Sequence, residues 1–260
     1  MSEQRTRGKD VILQAIDLSK SYGRGRNRTT ALQPITRDFT GAERLGIIGE
    51  SGSGKSTLSR LLAGLDTPTS GTLYWNGRDV ATLMRGERRQ FRREVQYIAQ
   101  DTSSSFDPRR TLLDSILQPL RRLSGLADRA AIHRAREVMA LLALDADLAD
   151  GLPGDVSGGQ RQRFAIARAL VVRPSILLCD EVVSALDVSV QGSILNLLTQ
   201  YCRDEEAGLI FVSHGIPATA FVAEHLLVMH GGAVVESGAT GEVVRMPEHH
   251  YTAQLMETVR

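Results

Sequence analysis

The chain has 260 residues, and its 31 basic and 30 acidic residues give a formal net charge of +1. This balance argues against binding nucleic acid through bulk charge, and aromatic residues, at 5% of the chain, are few for a base-stacking surface. The two cysteines, Cys179 and Cys202, exclude a disulfide framework.

The N-terminal part predicts strands around a glycine-rich loop. The first ten residues, MSEQRTRGKD, are polar and lack the apolar region of a secretory signal. Residues 11–16 alternate as a strand does, and the Gly- and Arg-rich stretch 23–30 predicts an exposed loop. A second strand, 44–48, runs into the sequence GESGSGKST, and leucines at helical spacing follow. A strand, a glycine-rich turn and a helix in this order are the context of a phosphate-binding loop.

The middle of the chain is predominantly helical in pattern. Residues 72–80 predict a strand and a turn, and 85–93 a charge-rich helix. Residues 111–150 show helical periodicity, with arginines on one side and Leu and Ala on the other. This helical block interrupts an α/β pattern, so we interpret it as an insertion in one domain.

The C-terminal part returns to alternating strands and helices. Residues 175–179 and 208–212 form continuous apolar strands, a helix is predicted over 188–203, and 225–236 predicts a hairpin through Gly231-Gly232. Continuous apolar strands between helices are typical of a parallel sheet buried on both faces. The most apolar tract, 209–223, is interrupted and shorter than the about 20 residues of a membrane-spanning helix. A soluble α/β chain is therefore predicted.

The strongest chemical motif is the phosphate loop. Its glycines let the backbone wrap tightly, so that successive N–H groups point at the phosphates. The helix that follows directs the positive end of its dipole at the same phosphates. Lys55 is predicted to reach the β- and γ-phosphates, and Ser56 to bind Mg²⁺. The predicted nucleotide-binding residues of this loop are Gly49, Glu50, Ser51, Gly52, Ser53, Gly54, Lys55, Ser56 and Thr57.

A second motif is the apolar strand that ends in Asp180 and Glu181. We expect this strand to lie next to the strand of the phosphate loop, which brings Asp180 to the metal. Glu181, one residue further, is predicted to polarise the attacking water.

The third motif, Val156-Ser157-Gly158-Gly159-Gln160, precedes a helical pattern and the Asp-Glu strand. With it, the chain resembles over nearly its whole length the ATPase subunits of ATP-binding-cassette (ABC) transporters. The resemblance implies an α/β fold of the P-loop NTPase type, with a RecA-like core, an N-terminal antiparallel β part and an inserted helical subdomain at about 101–165. It also implies a C-terminal tail at about 240–260. In this family the Ser157 turn contacts the ATP held by the opposite subunit, so two ATP molecules lie between two subunits.

The resemblance assigns further residues by position. Tyr22 matches the aromatic residue that stacks on adenine, Gln100 the glutamine that reaches the metal and water, and His214 the histidine at the γ-phosphate. Asp187 lies in the loop that communicates across the dimer. The predicted catalytic residues are Glu181, His214, Lys55 and Gln100; the metal ligands are Ser56, Gln100 and Asp180; the signature-peptide residues are Ser157, Gly158, Gly159 and Gln160.

Two positions depart from the family pattern. Val182-Val183 replaces the usual Pro-Thr after the catalytic glutamate, and Gly215 stands where an Asp commonly follows the histidine. Neither removes a phosphate or metal contact, but both bear on how Glu181 and His214 are positioned, and hence on the rate.

Two segments indicate the subfamily. Residues 100–110 and 247–252 are similar to those of importers for dipeptides, oligopeptides and nickel, with His250 in place of a proline. The resemblance implies a subunit on the cytoplasmic face of a prokaryotic membrane, with ATP and Mg²⁺, two permease subunits and indirectly a solute-binding protein. A second, different ATPase subunit is favoured, and a homodimer is the alternative. No cysteine follows the tail, so no iron–sulfur site is expected.

Other functions stay open at this point. A soluble cassette ATPase acting on DNA or ribosomes usually is a fused pair or has a long coiled coil, whereas a subunit of a phosphonate-degrading multienzyme complex looks like these importers. The arginines of 85–93 are interleaved with Glu87, which favours a solvated helix face over a nucleic-acid patch.

Overall fold

A computed structural model describes residues 11–102, 105–184, 186 and 188–257. The strands are β1 (Ile12–Tyr22), β2 (Thr29–Thr40), β3 (Arg44–Ile48), β4 (Ser70–Trp75), β5 (Arg78–Asp79), β6 (Val95–Ile98), β7 (Ile176–Asp180), β8 (Gly208–Val212), β9 (His225–His230) and β10 (Ala233–Ala239). The helices are α1 (Lys55–Leu62), α2 (Arg85–Glu94), α3 (Leu112–Pro119), α4 (Asp128–Leu141), α5 (Gly158–Leu170), α6 (Val188–Asp204), α7 (Ile216–Val222), α8 (Thr240–Arg245) and α9 (His250–Glu257). None of the helices in these ranges combines the length and apolarity needed to span a membrane.

The first sheet is antiparallel, in the order β2-β1-β4-β5. Strand β2 was not predicted, and it begins at Thr29, inside the stretch predicted as a loop. Its buried residues Leu32, Ile35 and Phe39 are three and four positions apart, because the pairing of β1 with β2 contains register shifts. Irregular pairing of this kind removes the strict alternation by which a strand is recognised.

The second sheet has the order β10-β9-β3-β8-β7-β6, in which β9, β3, β8, β7 and β6 run parallel. The expectation that the Asp180 strand lies next to the phosphate-loop strand is wrong, because β8 lies between β3 and β7. All three strands are apolar and buried, so their composition does not indicate their order. The functional consequence is unchanged, since the carboxyl ends of parallel strands meet at one edge.

This second sheet separates two hydrophobic clusters. Leu45 and Ile47 face the cluster that also contains α1 and the antiparallel sheet. Ile48 and Phe211 face the other cluster, which contains α3, α4, α5 and α6. The prediction of strands buried on both faces is confirmed.

The helical block between β6 and β7 consists of α3, α4 and α5, with contacts between α3 and both other helices. The predicted helical pattern of 111–150 is interrupted after Pro119 by a short π-helical segment, Leu120–Ser124, which ends at Gly125. Helices α7, α8 and α9 were not predicted, whereas the hairpin of β9 and β10 was.

Candidate functional site

A cavity of about 630 Å³ lies beyond the carboxyl ends of β3, β7 and β8. It is lined by Ala31, Ser51, Gly52, Gly54, Lys55, Ser56, Thr57, Gln100, Glu181 and His214. All of these except Ala31 are residues predicted from the sequence. The structure thus brings together segments that are far apart along the chain.

Close backbone contacts determine the shape of the loop between β3 and α1. Gly49 and Gly54 have φ angles of +149° and +100°, which L side chains rarely adopt. A Cβ atom would lie 2.2 Å from the Met229 carbonyl oxygen at Gly49, and 2.3 Å from the Ala31 carbonyl oxygen at Gly54. Glycine is therefore required where β9 and β2 approach the loop.

Lys55 is buried at the base of the cavity, with a relative exposure of 4%. Its ammonium donates hydrogen bonds to the carbonyl oxygens of Gly49 and Glu50, both at 2.7 Å. Burial lowers the pKa of Lys55, and the negative charges of Glu181, Asp180 and Glu50 oppose this effect. Because carbonyl oxygens orient the ammonium without neutralising it, Lys55 retains its attraction for an anion in the cavity.

Asp180 and Ser56 form a polar pair beside this lysine. The Ser56 hydroxyl donates to Oδ1 of Asp180 at 3.0 Å, and the Tyr97 hydroxyl donates to Oδ2 at 2.8 Å. Burial raises the pKa of Asp180 and outweighs the two hydrogen bonds, which lower it; the charge of Glu181 adds to the rise. Carboxylate and hydroxyl oxygens are the ligands that Mg²⁺ prefers, so this pair is suited to hold that ion.

Tyr97 was not predicted as a site residue. In the parallel pairing of β6 with β7 it lies opposite Leu178, two residues before Asp180. Burial, and next the charge of Asp180, raise the pKa of Tyr97, so its hydroxyl stays protonated as a donor. No motif in the sequence marks this contact, because it depends on the register of β6 against β7.

Glu181 has a φ angle of 51°, an uncommon value for a residue with a side chain. Its backbone N–H donates to the Val212 carbonyl oxygen at 2.9 Å, which ties the end of β7 to β8. Its Oε2 accepts from Nε2 of Gln100 at 3.0 Å and lies 3.2 Å from Nδ1 of His214. The amide and the imidazole thereby orient the carboxylate at the edge of the cavity.

Other predicted residues lie outside the cavity lining. Tyr22 is 46% exposed, and its hydroxyl donates to Asp66 at 2.8 Å. Ser157 is the exposed N-cap of α5, where its hydroxyl accepts from the Gln160 N–H at 3.2 Å and Gln160 Oε1 accepts from the Ser157 N–H at 2.9 Å. Asp187, like the polar start of the chain, lies outside the described residues.

The two departures from the family pattern have different surroundings. Val182 and Val183 are 1% and 3% exposed and belong to the hydrophobic core, so they fix the turn after Glu181 by packing. Gly215 is the N-cap of α7, and its N–H donates to the Ser213 hydroxyl at 2.9 Å.

Comparisons with known protein sequences point to one family. The sequence profile of the ABC transporter family matches residues 32–184. The glutathione import ATP-binding protein GsiA of Escherichia coli O157:H7 is 39% identical over 237 residues, which cover 90% of this chain and 38% of the relative. The oligopeptide transport ATP-binding protein OppF of Salmonella typhimurium is 39% identical over 230 residues, which cover 88% of this chain and 69% of the relative. The chain therefore spans well under half the length of GsiA.

A structural comparison gives the same family. A dimeric, post-hydrolysis state of the ATP-binding cassette MJ0796, bound to ADP and Pi, matches with a TM-score of 0.80 and 29% sequence identity. The match covers 88% of this chain and 98% of that one. The predicted fold, a P-loop NTPase of the ABC type, is confirmed.

Proposed function

Since the chain belongs to the ABC transporter family, we propose that it is a Mg²⁺-dependent ATPase that powers a membrane importer of peptides. Nickel or metal-chelate solutes are the second class of cargo that its sequence suggests. The observation that carries the proposal is the convergence of Lys55, Ser56 and Glu181 on one cavity. Asp180 lies behind Ser56 and accepts its hydrogen bond.

The residues of the cavity suit a nucleoside triphosphate. The loop between β3 and α1 offers backbone N–H groups and the positive end of α1 to the phosphates. Lys55 supplies a buried cation beside them. The ring of Tyr22, an exposed residue, would stack on the adenine base with the face opposite the Lys20 ammonium, which lies 5.0 Å from the ring centroid. The hydrogen bond to Asp66 restricts the orientation of the ring.

Ser56, Asp180 and Gln100 would hold the metal ion. Mg²⁺, when bound, neutralises charge that develops on the phosphate oxygens. The raised pKa of Asp180 supports this role, because a buried carboxylate gains most from a nearby cation.

Hydrolysis on this proposal is a direct attack of water on the γ-phosphorus, with no covalent enzyme intermediate. Glu181 orients the water through its carboxylate, and Gln100 and His214 keep that carboxylate in position. His214 also contacts the γ-phosphate, and Lys55 balances charge in the transition state.

The active form is a dimer of cassettes. The exposed N-terminus of α5 at Ser157 presents backbone N–H groups to a phosphate of the opposite subunit, together with Gly158, Gly159 and Gln160. The dimeric state of MJ0796 supports this arrangement. A second, different ATPase subunit is favoured over a homodimer. Asp187 is proposed to communicate between the two sites.

The importer role draws on the names of the relatives, which are ATP-binding proteins for glutathione import and for oligopeptide transport. Two permease subunits would receive the motion of the dimer on the cytoplasmic face of the membrane, and a solute-binding protein would deliver the cargo.

The test is reconstitution of the chain in proteoliposomes with a second cassette subunit and two permeases encoded beside its gene. We expect Mg²⁺-dependent ATP hydrolysis that a peptide and its binding protein stimulate, and uptake of that peptide. Hydrolysis without any stimulation by permeases would contradict the importer role. Failure to hydrolyse ATP in the complete complex would contradict the proposal as a whole.

A further inference from the structure

The C-terminal helix α9 contacts the phosphate loop through one side chain. The hydroxyl oxygen of Tyr251 accepts a hydrogen bond from the backbone N–H of Glu50 at 2.9 Å, across 201 positions of sequence. Tyr251 is 5% exposed, so solvent competes little for this bond. The carbonyl oxygen of the same Glu50 accepts from the Lys55 ammonium at 2.7 Å. A single residue of the loop thus connects Tyr251 with the cation of the site.

Tyr251 is itself held from two sides. Its ring packs against His230, with centroids 4.1 Å apart, and its N–H donates to Nδ1 of His249 at 3.1 Å. The carboxylate of Glu236 accepts from the backbone N–H groups of Glu248 and His249, both at 3.0 Å. The segment before α9 is therefore fixed to β10, and the position of the tyrosine hydroxyl follows from this attachment.

The phosphate loop needs an external contact to order it, because its own backbone can adopt many conformations. Gly49, Gly52 and Gly54 all have positive φ, and glycines have more conformational freedom to lose than other residues. Ordering a flexible loop on binding costs affinity, whereas a loop ordered beforehand does not incur this cost. A hydrogen bond at residue 50 restricts the first part of the loop, where β3 ends.

We propose that Tyr251 is a positioning residue of the phosphate loop, which it orders through the Glu50 backbone before nucleotide binds. This inference rests on the proposed binding of ATP. Loss of the hydroxyl removes the acceptor but leaves the ring in its place against His230. Because the effect is on the free loop, we expect it in nucleotide affinity and KM, with kcat at saturation little changed.

The experiment compares the full chain with two variants that each lose one buried hydroxyl. Tyr251→Phe removes the acceptor of the Glu50 N–H. Tyr201→Phe is the control, since the Tyr201 hydroxyl is buried and has no hydrogen-bond partner among the described residues. Hydrogen–deuterium exchange is measured on the peptide that contains the phosphate loop, and affinity is measured with a fluorescent ATP analogue.

For Tyr251→Phe we expect faster exchange in the loop peptide and a loss of affinity of about three- to tenfold, the effect of one hydrogen bond. Tyr201→Phe should change neither quantity. Unchanged exchange or unchanged affinity in Tyr251→Phe would overturn the inference, as would an equal loss in both variants. If the unaltered chain bound no nucleotide, the proposed function would fail, and the exchange measurement alone would decide whether Tyr251 orders the loop.

Discussion

Glu181 and His214 contact each other across the ends of two neighbouring strands, with Oε2 of the carboxylate 3.2 Å from Nδ1 of the ring. Glu181 follows β7, and His214 comes two residues after the end of β8. Gln100 donates to the same carboxylate oxygen from the segment after β6. The orientation of Glu181 is therefore set by side chains from the segments that follow two other strands, so an isosteric substitution should leave the shape of the site intact.

We predict that Glu181→Gln keeps ATP affinity but lowers turnover by a factor on the order of 10²–10³, because an amide polarises the attacking water poorly. Phosphate release and equilibrium nucleotide binding measure the two effects. Glu242→Gln, an exposed substitution in α8, is the matched control. Near-normal turnover of the Glu181 variant would exclude its role with water.

Lys55→Ala should weaken nucleotide binding itself, because it removes the buried cation beside the phosphates. The measurement is titration with a fluorescent ATP analogue. Arg60→Ala, which removes an exposed cation from the same helix, should bind as the unaltered chain does. Equal affinity of the Lys55 variant and the unaltered chain would contradict the assignment.

Asp180→Asn should stabilise the protein when nucleotide and Mg²⁺ are absent. The pKa of this carboxyl is raised in the folded state, mainly by burial, so the folded state binds the proton more tightly than the unfolded state does. The contribution of Asp180 to stability consequently declines as the pH rises from the unfolded pKa through the folded one. At neutral pH, removal of the charge should increase the free energy of unfolding by about 0.5–2 kcal/mol.

Urea denaturation at neutral pH measures this change, and repetition with Mg²⁺ and ATP separates stability from function. The unaltered chain should gain stability from the ligands, whereas Asp180→Asn should gain much less, because it lacks the metal ligand. A variant that is less stable without ligands, or equally stabilised by them, would refute this account of Asp180.

Stable association of this chain with a second cassette subunit should require co-expression of the two. The purified chain should be mostly monomeric with weak ATPase activity, and co-expression with an adjacent cassette gene should yield a stable complex with higher activity. Glu181→Gln should trap this complex with ATP, as size-exclusion chromatography would reveal. Recovery of this chain alone with permeases in pull-downs would favour the homodimer.

The features that could be predicted from the sequence are local. The phosphate loop is a run of adjacent residues whose glycines are required by the backbone conformation of the loop itself. Asp180-Glu181 likewise ends an apolar strand that can be recognised in the sequence. The order of β3, β8 and β7 could not be predicted, because strands buried on both faces look alike. The contacts of Tyr97 and Tyr251 depend on sheet register and on the position of the tail. The motif at 247–252 can be recognised in the sequence, but the sequence does not show that its tyrosine, Tyr251, contacts the backbone N–H of Glu50.

The strand order of the second sheet has a consequence for how the chain folds while it is being synthesised. Strand β3 has β8 and β9 as its neighbours, so it has no partner in its sheet until residues 208–212 have been made. Lys55 leaves the ribosome more than 150 residues before this partner. Pairings between such distant segments form late and leave apolar strands exposed meanwhile. Nucleotide should therefore be unable to assist folding of the N-terminal half, and a nascent chain that ends before β8 should depend on chaperones.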